Sequence, residues 1–106
     1  MCRKEIMQRA ELIFSKLELD RMVFYEYQHQ EYIRVDVHGL TCNQVKVFIK
    51  NIINVVRGAF ELIIIHGYLH GTKIKEMIYT QLGDMHRISD MKSEDWNPGV
   101  TYLMIK

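Results

Sequence analysis

The sequence predicts an α/β fold: a two-layer sandwich of order β-α-β-α-β-β, with a mixed four-stranded sheet and an extra N-terminal helix. Three observations predict it. Val45, Phe48, Ile49, Ile52, Ile53 and Val56 recur at helical spacing and form one wide apolar face. That helix lies between two strand-like runs, residues 32–38 and Leu62-Ile63-Ile64-Ile65, so a crossover should make those strands parallel. The last connection, residues 92–99, is too short for a helical crossover and implies an antiparallel hairpin.

Each element has a local reason. Ile6, Ala10, Ile13, Phe14 and Leu17 share one face of an amphipathic helix over residues 3–17. Residues 18–30 carry Phe24, Tyr25 and Tyr27 without a clear period and read as a loop or an arm over the core. The strand at residues 32–38 stops at Gly39. Thr41 and Gln44 have capping-box spacing, and Gly58 is placed to end the helix that follows. The unbroken run at residues 62–65 is what a strand covered on both faces shows. Thr72 can cap a second helix with Ile74, Met77, Ile78 and Leu82 inward and Gly83 as its stop. Residues 86–91 and 100–105 are the last strands, with Asn97-Pro98-Gly99 as the turn and Trp96 pinning it to the core. The division expected is an N-terminal helix and aromatic arm at residues 1–30 and the sandwich at residues 31–106.

Composition narrows the function classes. At 106 residues the chain fits one domain, and 48% apolar with 25% charged residues is ordinary for a globular protein. Apolar runs such as residues 62–65 are far too short to span a bilayer, so no membrane partner is expected. No apolar stretch follows the basic residues near Met1, which argues against a secretory signal. Cys2 and Cys42 make no disulfide framework and read as reduced thiols of a cytoplasmic protein. A net charge of +1 is not the footprint of a strong nucleic-acid binder, so phosphate contact would need a local patch or backbone N–H groups.

Two strand ends look alike: Val35-Asp36-Val37-His38-Gly39 and Ile64-Ile65-His66-Gly67. In parallel strands both His-Gly pairs lie at the carboxyl edge, where open α/β sheets bind ligands. Asp36 and His38 stand at i and i+2, on one face of a strand. Asp36 then either orients the His38 ring for acid–base chemistry or only accepts backbone N–H bonds of the loop. Gly67 and Gly71 flank Tyr68-Leu69-His70, and Gly71-Thr72-Lys73 opens a helix. A helix start with glycines and a lysine suits phosphate; the other reading is a tight loop that needs glycine only for its backbone. No cofactor is expected; a divalent metal on His38, His66, His70 and Asp36 is the alternative. His29 and His86 read as surface residues, and the six tyrosines as packing or base-stacking groups.

Val35-Asp36-Val37-His38-Gly39-Leu40 resembles the L-D-L-H-G motif of small MutS-related (Smr) domains. Residues 64–71 resemble that family's second motif, H-G-x-G, with Leu69 in place of its second glycine, which is displaced to Gly71. Asn97-Pro98-Gly99-Val100-Thr101 is similar to its closing N-x-G-x-T segment. The resemblance covers residues 32–106. It implies a sandwich similar to the C-terminal domain of bacterial translation initiation factor three, and nucleic-acid work: DNA nicking, RNA cleavage on stalled ribosomes, or binding alone. On these expectations Asp36, His38 and His66 are the candidate catalytic residues. Gly39, Gly67, His70, Gly71, Thr72 and Lys73 are the candidate phosphate-binding residues. The expected partners are DNA or RNA, including the ribosome, and a second copy docked through the N-terminal arm.

Overall fold

Ile64 sits near the middle of the sheet, paired with Val35 in parallel register and with Thr101 in antiparallel register. The computed structural model describes residues 3–67, 71–94 and 96–106. Its elements are α1 (Arg3–Ile13), α2 (Lys16–Leu19), β1 (Met22–Tyr27), β2 (Gln30–Asp36), α3 (Cys42–Val55), β3 (Phe60–Ile65), α4 (Gly71–Gln81), β4 (Ile88–Glu94) and β5 (Asn97–Ile105). The strands form one mixed sheet of order β1-β2-β3-β5-β4. Only β2 and β3 are parallel; the other pairs are antiparallel.

The expected two-layer α/β architecture is present, with a fifth strand. Residues 18–30 are not an arm over the core: they contain β1, which pairs with β2 from Met22↔Val35 to Tyr27↔Gln30. Gln28 and His29 both hold positive φ, at 50° and 65°, the backbone of a two-residue hairpin turn. The long N-terminal helix is also interrupted. Ser15 and Glu18 form a capping box that starts α2, so Ala10 and Phe14 face the core while Ile13 and Leu17 are exposed. Phe14 packs on Phe48 of α3 with ring centroids 5.6 Å apart. The expected inward side chain of Ile6 lies outside the described residues.

The Thr41–Gln44 capping box forms as expected, and every predicted apolar position of α3 is buried. The same holds for Ile74, Met77, Ile78 and Leu82 on and just beyond α4. The expectation of a doubly covered β3 is corrected. Phe60, Leu62 and Ile64 are buried, but Glu61, Ile63 and Ile65 are only half-buried. The core gathers α1, α3 and α4 on one side of the sheet, and the antiparallel β4–β5 hairpin brings no helix to the other. The tail of the chain differs as well. Glu94 pairs with Asn97, so Asn97-Pro98-Gly99 belongs to β5 and not to the turn. Trp96 is 80% exposed and pins nothing to the core.

Candidate functional site

β2 ends at Asp36, so His38 lies beyond the strand and the strand rule for i and i+2 does not govern it. The two residues meet through the backbone: the His38 N–H donates to Asp36 Oδ1 at 2.9 Å. Gly39 follows at φ 85°, and the Leu40 N–H returns to the Val37 carbonyl at 3.1 Å. The carboxylate therefore folds the corner, and the exposed His38 ring stands free of it.

Arg21 completes the corner. Its Nη1 donates to the carbonyls of Asp36 and His38, each at 3.0 Å, and its own carbonyl accepts the Asp36 N–H at 2.9 Å. No local pattern marks Arg21, because its partners lie in another strand and in the loop after it. Asp20, Arg21, Val23, Arg34, Asp36 and Ile65 line a depression of about 280 Å³ beside the corner. Arg34 makes no ion pair among the described residues, and its guanidinium and that of Arg21 share the depression with the carboxylates of Asp20 and Asp36. What the depression offers an oxyanion is guanidinium donors, which match phosphate oxygens in pairs, set beside two carboxylates.

The second His-Gly end lies at the same sheet edge, as parallel pairing requires, but on the other face. Asp36 pairs with Ile65, both on the uncovered face, and His66 is one residue further along. His66 is 3% exposed. Its Nε2 lies 2.8 Å from Thr101 Oγ1 and its Nδ1 3.1 Å from the Gly67 carbonyl. Burial lowers its pKa, which keeps the ring neutral. With both nitrogens engaged and the side chain buried, His66 does not join Asp36 at the depression.

The glycines of the second motif meet the closing segment. Gly67 has φ 82°, and the Gly99 carbonyl accepts the N–H groups of both His66 and Gly67, at 2.9 and 3.0 Å. A Cβ placed on Gly99 would lie 3.3 Å from Gly67 Cα. Gly71 begins α4, one residue before the expected cap Thr72, and Lys73 is exposed in its first turn. His70, Leu69 and the Thr72 side chain lie outside the described residues. Among the described residues no three His, Cys, Asp or Glu side chains gather as a metal site. His29 and His86 are exposed.

No family model and no curated protein matches the chain. Among solved structures, the fold is similar to that of the Smr domain of Thermus thermophilus MutS2. The TM-score is 0.60 at 20% identity, over 69% of this chain and 96% of that one. The match covers nearly the whole of that domain, and at this identity it speaks for fold alone. The β-α-β-α-β-β core with its three ordered motifs is thus an Smr-like fold.

Proposed function

We propose that this chain is a nucleic-acid-handling domain whose Asp36–His38 corner cleaves phosphodiester bonds. The observation that carries this is the depression beside the corner, where Arg21 and Arg34 border Asp36 on the uncovered side of the sheet edge. The guanidinium groups hold the phosphate and stabilise charge as it develops on the oxygens. His38, exposed next to the depression, takes the proton from the attacking oxygen, as histidine does best near neutrality. A bond from that oxygen to phosphorus then forms as the bond to the leaving oxygen breaks. Asp36 holds the His38 backbone in place, and Lys73 with the start of α4 offers a further phosphate contact. His66 serves by fixing the neighbouring strand end.

The test is cleavage of a fluorogenic RNA and of supercoiled plasmid by the wild type, Asp36→Ala and His38→Ala. Loss of cleavage in both variants, with folding intact, is expected. Equal background in all three would remove the catalytic role. A second reading, binding without cleavage to DNA, structured RNA or the ribosome, is favoured by the withdrawal of His66 from the site. It is marked by binding that falls steeply with salt while substrates stay whole. A homodimer through the N-terminal region is supported by the exposed Leu12, Ile13 and Leu17, and sedimentation of the chain tests it. The described helices include none long and apolar enough to cross a membrane, and the cytoplasm is the compartment this reading expects.

A further inference from the structure

The β1–β2 hairpin presents a graded row of side chains on the uncovered face. Met22 and Phe24 of β1 turn toward the core, so Val23, Tyr25 and Tyr27 turn away from it. Opposite them, Tyr32, Arg34 and Asp36 alternate with the buried Ile33 and Val35. From the hairpin tip inward, the rungs are Tyr27, then Tyr25 beside Tyr32, then Val23 beside Arg34, then Arg21 at Asp36. Rungs on one face recur about every 7 Å. Tyr25 and Tyr32 stack with centroids 5.0 Å apart and planes 8° from parallel. Tyr27 is 61% exposed with no ring partner among the described residues. Aromatic groups thus occupy the tip and cations the base. Arg34 makes no ion pair among the described residues, and the carboxylates that share its depression are Asp36 and Asp20.

We propose that this face of the hairpin is a track for single-stranded nucleic acid, with bases stacking at Tyr27, Tyr25 and Tyr32 and phosphates meeting Arg34 and Arg21 where the track reaches Asp36. The inference rests on the nucleic-acid reading above and adds the strandedness of the ligand and its path. Unpaired bases have open faces for the tyrosines, whereas a duplex keeps its bases stacked on one another. The row is also continuous with the candidate site, so a strand lying along it delivers a phosphate to the depression.

Fluorescence anisotropy of the full chain with a labelled oligonucleotide of about ten nucleotides tests the track, single-stranded and annealed to its complement. Single strands should bind more tightly than the duplex. Tyr27→Ala should weaken single-strand binding about tenfold with an unchanged melting temperature, while Tyr27→Phe keeps it. Arg34→Ala should weaken binding and reduce the salt slope by about one. Single-strand binding indifferent to both Tyr27→Ala and Arg34→Ala, or duplex binding of equal strength, overturns the track and leaves the nucleic-acid reading standing. Failure to bind any nucleic acid overturns both. A dimer that Tyr27→Ala dissociates, with no oligonucleotide bound, overturns the track and assigns the face to a second copy.

Discussion

The Nε2 atom of His66 lies 2.8 Å from the hydroxyl of Thr101, and both side chains are buried. With Nδ1–H donating to the Gly67 carbonyl, Nε2 is left to accept the Thr101 proton. Thr101→Val keeps the shape but removes the donor, leaving a buried nitrogen unpaired. The expected loss is about 1–3 kcal/mol, read from urea denaturation. An unchanged midpoint would mean that the pair contributes nothing.

The same ring sets a pH dependence. Burial holds the folded His66 pKa below 6.5, so the unfolded chain binds the proton more readily. Stability is fully present above about pH 6.5 and is lost as pH falls from there through the folded value. His66→Gln should flatten that slope. Glu61 acts with the opposite sign lower on the scale: burial raises its carboxyl pKa, so protonation favours the fold as pH falls toward 4.5. Equilibrium unfolding at a series of pH values, wild type against His66→Gln, checks the sign.

Gly99→Ala should destabilise the fold. Its new methyl would lie 3.3 Å from Gly67 Cα and carbonyl carbon, and Gly67 is held by its own bond to the Gly99 carbonyl. Neither backbone can recede cheaply, and the expected penalty is about 1–2 kcal/mol. Calorimetry should show a melting temperature lower by roughly 4–8 °C for each kcal/mol.

Arg21→Ala removes the clamp on the carbonyls of Asp36 and His38. It should cost about 1 kcal/mol of stability and lower cleavage at least about tenfold. Adding guanidinium to the assay should leave a shortfall, because the corner as well as the charge is lost. Cleavage at the wild-type rate would remove Arg21 from the site.

Thr41→Ala should cost about 1 kcal/mol by opening the cap of α3, the helix that follows the corner. Denaturation should show it as a shifted midpoint with an unchanged slope.

How much of this was legible in the chain follows the range of the interactions. The cap at Thr41 and the buried stripe from Val45 to Val56 depend on residues within a few turns of one helix, and local pattern reads them directly. The parallel pairing of β2 with β3 follows from the crossover that joins them. β1 was not legible, because its turn at Gln28 and His29 lacks the glycine or asparagine that usually marks positive φ. The motifs mark Asp36, His38 and His66 in sequence, but not which of them face solvent. One step of strand register sends Asp36 to the open face and His66 into the core beside Thr101, and no local spacing reveals which face the helices cover. Arg21 reaches its partners across 15 and 17 residues, so only the folded hairpin brings it to the corner. Sequence alone determined the elements and the motifs they end in; tertiary structure decided which of those motif side chains meet water and which are closed off, because burial is set by neighbours distant in the chain.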